Sequence, residues 1–266
     1  MPDITAAMDE AAVNQVLPVA QATLGMVANA GSTQLKQFHV TYNATAWFTG
    51  GTAHLFPTDN VQINGCKLNY TTHFTLSFDL SDFIPDIHIP GVKVKVFKKW
   101  VVLIPEFNVN WPTVNVPVSH AGSVLFTSNF KVHTVFVNPN WNVNVVIQSV
   151  PVLQLTPAAS AILALIGVAA AAALGPIPFI GPFLATAVVA ITASIGIGGA
   201  TGLLGLMLTP FVTGTTFTLY SQPKHFPLLP ASGPYDPAVF IDLASVNALV
   251  VNSGEPELRL LTNVTP

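Results

Sequence analysis

The feature that most constrains this chain is the segment Thr156–Pro210, which contains no charged side chain. The charge-free run is longer still, because no Asp, Glu, Lys or Arg lies between Lys131 and Lys224. A helix that is apolar on all sides is typical of a protein core, a membrane span or a surface that holds lipid. Each large apolar side chain is worth ~1.5–3 kcal/mol when it is buried. The rest of the chain, or a bilayer, is therefore expected to cover this segment.

The same segment is predicted to form two helices separated by a break. Thr156 is a suitable N-cap and Pro157 a suitable first helical residue, so the first helix is expected to run to about Leu174. The sequence GPIPFIGP that follows contains too much Gly and Pro to continue a helix. The second helix is expected to run from Pro182 to Pro210. Each helix is long enough to span most of a bilayer, which takes ~20 residues.

Charge is scarce throughout the chain as well as in this segment. Only 8% of the 266 residues are charged and the mean hydropathy is +0.58, whereas about a quarter of residues are charged in an average soluble protein. The net charge of −3 is too small to indicate a nucleic-acid partner. The single cysteine, Cys66, excludes an internal disulfide framework and a Cys-based zinc site. The first residues lack the basic region of a secretory signal, so we expect a cytoplasmic protein or export by a leaderless route.

Residues 3–29 are predicted to form a first helix, with Asp3 as its N-cap, because apolar residues recur there at helical spacing. Pro18 is expected to kink this helix. From Phe38 onwards apolar and polar residues alternate, which is typical of an antiparallel sheet with one wet face. The clearest strand is Lys67–Leu80, which is far longer than the usual five or six residues and apolar on nearly all of one face.

Further strands are predicted on both sides of the apolar helices, with proline residues marking their ends, edges or bulges. The expected strands cover residues 92–104, 107–118, 124–137, 141–155, 215–220, 239–251 and 257–264, and residues 223–237 are expected to form a proline-rich loop.

The element order is a helix, long antiparallel strands, apolar helices and closing strands. It predicts one α+β domain over residues 1–266, in which a long curled antiparallel sheet wraps around the apolar helices of residues 156–210. This order, together with the opening helix MDEAAVNQVL at Met8–Leu17, resembles the tubular lipid-binding (TULIP) superfamily, which includes the bactericidal/permeability-increasing protein type. The resemblance implies a lipid or other hydrophobic ligand held between the sheet and the helices.

The chain contains no P-loop, no G-x-S-x-G and no H-E-x-x-H motif. We therefore expect no catalytic residues and no cofactor. Asp79, Asp82, Asp86 and His88 are close enough in sequence to be considered for a metal site, but a polar rim at two strand ends explains them better. No metal-binding residue is assigned.

Four of the nine basic residues lie close together beside a tryptophan. This cluster consists of Lys93, Lys95, Lys98, Lys99 and Trp100. One interpretation is a solvated strand face that discourages edge-to-edge pairing. The other is a docking patch for the headgroups of anionic lipids, with the indole ring at the membrane interface. On that interpretation the five residues are the candidate membrane-contact residues.

The favoured function is the binding or transfer of a lipid or fatty-acid-like ligand, without catalysis, in a cavity between sheet and helices. The residues expected to line that cavity are Leu76, Phe78, Ile162, Leu165, Phe183, Leu184, Val188, Ile191 and Ile195. The alternative is a membrane-inserting or pore-forming protein that stores residues 157–208 as a helical hairpin. The two hypotheses differ in whether the apolar helices stay against the sheet or leave it.

Overall fold

The computed structural model describes residues 2–57, 60–96, 99–148, 153–212, 216–229, 238–252 and 254–265. The helices within this part of the chain are α1 (Glu10–Leu24), α2 (Thr156–Leu174) and α3 (Leu184–Val212). The strands are β1 (Ile4–Asp9), β2 (Val27–Leu35), β3 (Phe38–Thr49), β4 (Thr52–Phe56), β5 (Asn60–Asp79), β6 (Ile87–Ile89), β7 (Val92–Val96), β8 (Lys99–Ile104), β9 (Phe107–Val109), β10 (Thr113–Val137), β11 (Asn140–Ile147), β12 (Thr216–Pro223), β13 (His225–Leu229), β14 (Val239–Asn252) and β15 (Pro256–Thr265).

The main sheet has seven antiparallel strands and curls into a half-barrel. Its strand order is β12-β11-β10-β5-β3-β2, and β4 pairs with the first residues of β5. A second, four-stranded sheet has the order β1-β15-β14-β13. The apolar helices α2 and α3 pack against the main sheet. The predicted α+β class, with a long curled antiparallel sheet around apolar helices, is confirmed.

The central pair of the main sheet is β5 and β10, with 20 and 25 residues. Every second residue of β5 is buried, including Leu68, Leu76 and Phe78, because successive side chains of a strand point to opposite faces. The sequence predicts this alternation correctly but predicts two strands where β10 is one. Pro117 does not end β10, because at that point β10 pairs with β5 on one side while its pairing with β11 starts at Phe130.

Strands β3 and β4 cover successive parts of the same edge of β5, and a turn at Gly50-Gly51 joins them. Gly51 has a φ of 96°, and a Cβ atom added to it would lie 2.7 Å from Cγ2 of Ile63. A side chain at this position would therefore be strained by its backbone and would collide with β5.

Helix α2 contacts the core through a single stripe of residues spaced three or four apart. The buried residues of this stripe are Ala159, Ile162, Ile166, Ala170 and Leu174. The structure differs slightly from the predicted start of this helix. Its N-cap is Leu155, which makes no side-chain capping bond.

Helix α3 follows a short 3-10 turn at Gly181–Phe183 and runs two residues past Pro210. Its backbone leaves the helical region at Gly196, which has a φ of 61°. Nearby, Lys36 donates a hydrogen bond from its ammonium group to the carbonyl of Ser194, and the amide of Gln37 donates one to the Ser194 hydroxyl at 2.7 Å. The turn between β2 and β3 therefore holds α3 beside its break.

The predicted bounds of the first helix, residues 3–29, are wrong at both ends. Residues 4–9 form strand β1 because they pair with β15 near the other end of the chain, with Ile4 opposite Thr262. The N-cap is consequently Asp9, whose carboxylate accepts a hydrogen bond from the amide of Ala12 at 2.7 Å. Residues 27–35 form β2 at the edge of the main sheet.

One predicted strand and the predicted proline-rich loop also differ from the structure in their bounds. The strand expected at 141–155 is β11, which ends at Ile147, and residues 149–152 lie outside the described part of the chain. The loop expected at 223–237 contains β13, which pairs with β14, while residues 230–237 are outside the described part.

Neighbouring residues of β5 lie on opposite faces, so mutations at neighbouring positions should differ in how much they lower the free energy of unfolding. Leu76 is fully buried, whereas Thr75 lies on the outer face and is half-buried. Leu76→Ala should lower the free energy of unfolding by ~2–5 kcal/mol through the lost contacts and the cavity left behind. Thr75→Ala should change it by less than about 1 kcal/mol. Urea denaturation of both variants checks this, and equal losses would contradict the assigned faces.

Candidate functional site

Helices α2 and α3 lie on the inner face of the main sheet, which leaves their opposite side open to solvent. Both helices are long and apolar enough to cross a membrane, yet at most 28% of either apolar window is buried. The core helix of a soluble protein would be mostly buried. On the open side, Val168 of α2 is 71% exposed and Val189 of α3 is 65% exposed. We call this side the outer apolar face; its large residues are Leu165, Val168, Val189, Ile197 and Leu206.

The turn between α2 and α3 continues the apolar surface. Phe179 in this turn is 61% exposed, and its ring lies 5.6 Å from the ring of Phe107 in β9. Phe183 makes an edge contact at 6.3 Å with Trp111, whose indole N–H donates to the carbonyl of Pro85 at 3.1 Å. These ring contacts hold the helical turn against the segments that lead into and out of the lysine cluster.

The lysine cluster lies on a two-stranded arm. Strand β6 pairs with β9, and further along the same ribbon β7 pairs with β8. Lys93, Lys95 and Trp100 are exposed on this arm, and the Lys95 ammonium lies 6.0 Å from the centre of the Trp100 ring. Lys98 lies outside the described residues, and only the backbone of Lys99 is described. The arm and the exposed turn between α2 and α3 are at the same end of the main sheet.

The residues expected to line a ligand cavity lie on both sides of the contact between sheet and helices. Those that are fully or almost fully buried are Leu76, Phe78, Ile162, Ile191 and Ile195. Phe183, Leu184 and Val188 are half-buried against the same core, and Leu165 is on the outer apolar face. The apolar cavity described below has other walls, so a ligand site at these nine positions stays a prediction.

Helix α1 packs against the other end of the inner face, where polar side chains attach it to strand β4. The side chain of Asn14 accepts a hydrogen bond from the amide of Ala53 at 2.7 Å and donates one to its carbonyl at 3.0 Å. Glu10 accepts a hydrogen bond from the amide of Leu55 at 2.8 Å. Because β4 pairs with β5 on one side, these side chains satisfy backbone groups on its other side that would otherwise attract another strand.

An apolar cavity of about 100 Å³ lies beneath α1. Almost no polar atom reaches its surface. The helix contributes Val13, Val16, Leu17, Ala20, Gln21 and Leu24 to its wall, the main sheet contributes Phe48, Ala53, Val61, Ile63, Cys66, Phe130, Val132 and Val145, and Met8 and Leu258 come from the second sheet. The sequence did not indicate this cavity, although the helical spacing of apolar residues in α1 predicts a side of the helix that packs against the protein.

A more open pocket of about 420 Å³ adjoins the cavity at the C-terminal end of α1. Gln21 and Phe48 line both spaces and therefore lie at the boundary between them. The amide of Gln21 donates a hydrogen bond to the carbonyl of Gly50 at 2.7 Å and lies 3.7 Å from Sγ of Cys66. We call this pocket the mouth; it is also lined by Pro18, Ala22, Gly25, Met26, Trp47, Thr49 and Gly50.

Three titratable groups on the inner face, Cys66, Tyr70 and His120, have pKa values that burial has displaced. Burial raises the pKa of the Cys66 thiol, in the cavity wall, to about 12. Burial likewise raises the pKa of the Tyr70 hydroxyl to about 12. A thiol with so high a pKa is a poor nucleophile near neutral pH, because the thiolate is the reactive form. Cys66 therefore forms part of an apolar wall.

Asp79 and His88, two of the four residues considered for a metal site, have hydrogen-bonding partners in the structure. Asp79 accepts hydrogen bonds from the amide and the hydroxyl of Ser81, at 3.2 and 2.9 Å. The ring of His88 lies 2.5 Å from the side-chain oxygen of Asn108. Among the residues that the structure describes, no three His, Cys, Asp or Glu side chains are grouped so as to hold a metal ion. These hydrogen bonds support the polar rim.

No protein-family model matches this chain, and no curated protein matches it.

The displaced pKa of Cys66 predicts a specific loss of stability in alkali. Between the ordinary thiol pKa of 9.0 and the folded value of about 12, the unfolded chain loses the thiol proton while the folded chain keeps it. The free energy of unfolding should therefore fall by up to ~1.4 kcal/mol per pH unit through this group. Urea denaturation of the wild type and of Cys66→Ala between pH 9 and 11 checks this. Tyr70 acts equally in both proteins, so identical pH slopes would contradict the burial of the thiol.

Proposed function

We propose that this protein is a non-catalytic lipid-binding protein that docks on an anionic bilayer through its outer apolar face. The observation that carries the proposal is the exposure of two uncharged helices along one side of the molecule. Val168 and Val189 at the centre of that side are mostly in contact with solvent. Apolar surface of this kind is stabilised by removal from water, at roughly 25 cal/mol per Å².

A bilayer suits this surface better than a protein partner does. A protein interface has a polar rim around its apolar centre, but the sequence of α2, α3 and their connection contains no charged residue at all. Helix α2 has 19 residues, which corresponds to roughly 28 Å at 1.5 Å per residue. An uncharged apolar surface of that length matches the hydrocarbon region of a membrane.

The lysine arm supplies the second part of the proposed membrane contact. Lys93, Lys95 and Trp100 are exposed at the end of the molecule where Phe179 is exposed as well. Basic residues near a membrane are attracted to anionic headgroups by about 1 kcal/mol each, and tryptophan favours the interface between headgroups and hydrocarbon. The proposed bilayer is therefore one with anionic lipids in the leaflet that faces the protein.

The half-barrel around apolar helices is compatible with a fold of the TULIP type. Lipid binding is the function that this likeness implies, so fold and surface chemistry support the same class of ligand. Membership of that superfamily is part of the proposal. The likeness also implies a ligand held between the sheet and the helices. Binding of a ligand by the nine residues expected to line that cavity remains a prediction.

Vesicle flotation tests the role of the outer apolar face. Wild-type protein should float with phosphatidylcholine vesicles that contain phosphatidylserine. Val168→Glu combined with Val189→Glu should reduce the bound fraction about tenfold or more, because carboxylates oppose insertion into hydrocarbon. Leu125→Glu is the matched control, since Leu125 is also exposed but lies on the outer face of β10. Equal flotation of all three proteins, or none by the wild type, would refute docking through α2 and α3.

The arm should contribute through charge. Lys93→Glu combined with Lys95→Glu is expected to weaken flotation with phosphatidylserine vesicles at low salt and to leave binding to pure phosphatidylcholine nearly unchanged. The difference between variant and wild type should shrink near 0.5 M salt, where screening lengths fall to a few ångströms. If the double variant binds anionic vesicles as the wild type does, the arm is a solvated strand face.

Insertion of the hairpin across the membrane is the second candidate, and it is favoured by the length of the two apolar helices. It differs from docking in that α2 and α3 must leave the sheet. Docked protein should not release a dye trapped in vesicles, whereas an inserted hairpin that forms a pore should release it. Dye release by wild-type protein at concentrations that give flotation would therefore favour insertion.

A further inference from the structure

We infer that the cavity beneath α1 is a binding site for the alkyl chain of a small, free amphiphile whose polar end lies in the mouth. This site is separate from the outer apolar face, because its walls come from α1, the second sheet and the other end of the main sheet. The inference goes beyond bilayer docking and does not depend on it.

The lining of the cavity selects an apolar group. Val13 and Leu17 of α1 face Val61 and Ile63 of β5 across it. A buried water needs about two to four polar partners, and an apolar engineered cavity of 150 Å³ stays dry and binds benzene. The inner cavity, at about 100 Å³, therefore accommodates a few carbon atoms and excludes water.

The mouth gives the same ligand room for a polar end. It is an open depression of about 420 Å³ beside the cavity. Thr49 contributes a hydroxyl group, the backbone at Gly50 is close by, and Trp47 provides an aromatic wall. The residues that the structure places around the mouth include no Asp, Glu, Lys or Arg, which favours an uncharged polar end such as a hydroxyl group.

The Gln21 side chain lies at the boundary between the two spaces. Its amide is bonded to the carbonyl of Gly50, and the ring of Phe48 lines both spaces. A ligand that occupies both spaces crosses this boundary beside Gln21 and Phe48. A linear alkyl chain has the smallest cross-section of the aliphatic groups, so it is the ligand used to test the site.

The chain contains a built-in reporter of this site. Cys66 is the single cysteine and lies in the cavity wall beneath α1, where it is 1% exposed. A thiol reagent can reach it only when α1 opens. A ligand that binds the closed state should slow labelling by a factor of 1 + [L]/Kd, which gives a binding constant without a label on the ligand.

The test uses linear 1-alkanols from butanol to decanol with the intact protein. Each added CH₂ that enters the cavity should increase affinity about fourfold, which is ~0.8 kcal/mol per buried CH₂ at 25 °C. The gain should stop once the inner cavity is full. Ala20→Leu fills the cavity from the helix and should abolish the slowing of Cys66 labelling. Ala11→Leu is the matched control on the same helix, since Ala11 is exposed and lines neither space.

A second variant, which enlarges the cavity, keeps the inference testable even if Ala20→Leu disturbs α1. Leu17→Ala should move the chain length at which affinity stops rising to longer alkanols. The inference fails if no alkanol slows labelling of the wild type, or if Ala20→Leu is protected as well as Ala11→Leu. Phosphatidylcholine vesicles without alkanol should leave the rate of Cys66 labelling unchanged. If vesicles slow the labelling and none of the alkanols does, the inference is overturned in favour of bilayer contact at α1. Vesicle flotation reports separately on the outer apolar face, so either proposal can fail alone.

Discussion

The packing of one stripe of α2 and α3 against the inner face of β5 and β10 is the contact on which the rest of the structure depends. The strands alone would expose residues such as Leu76 and Phe78, and the helices alone would expose Ile162 and Ile191, all of which are buried in the assembled fold. Through this contact the sheet curls around a filled centre and does not form a flat, open surface.

Size, and not polarity, decides which side of α2 faces the sheet, because the helix is apolar on all sides. Its buried stripe combines the small residues Ala159 and Ala170 with larger ones such as Ile162 and Ile166. Gly167 is turned towards α3, where a Cβ atom would lie 3.4 Å from Cγ2 of Thr192. The outer positions meet neither the sheet nor the neighbouring helix. Polar residues there would leave the sheet contact intact, so the fold does not explain the exposed Val168, whereas the proposed lipid-facing role would.

The sequence predicts those parts of the fold that depend on local periodicity. Alternation in β3 and β5 indicates both the strands and the face that is buried, and the Gly-Pro-rich break locates the turn between α2 and α3. Features that depend on distant pairing are not visible in this way. Strand β1 forms because Ile4 meets Thr262, and without knowledge of that partner Asp3 and Asp9 are equally good N-caps.

The same distinction between local patterns and distant contacts applies to the candidate site. The lysine arm could be found from the sequence because its residues are neighbours in the chain. The uniform apolar pattern of residues 156–210 predicts that something must cover both helices, but it does not indicate that the sheet covers only one side. The cavity beneath α1 could not be predicted, since its walls join residues as far apart as Met8 and Leu258. A cavity is a small mismatch in volume among packed side chains, and no pattern in one segment records it.

The length of β5 places the two candidate lipid contacts apart. The lysine arm and the exposed turn at Phe179 lie beyond the Asp79 end of this strand, whereas the cavity lies around Cys66. At ~3.3 Å per residue, the intervening part of the strand is roughly 40 Å long. The outer apolar face covers part of that distance, because the carbonyl of Met207 in α3 accepts a hydrogen bond from Asn29, which lies level with Thr72 of β5. The arm and the cavity are therefore at opposite ends of the strand, and the outer apolar face extends from the arm end towards α1.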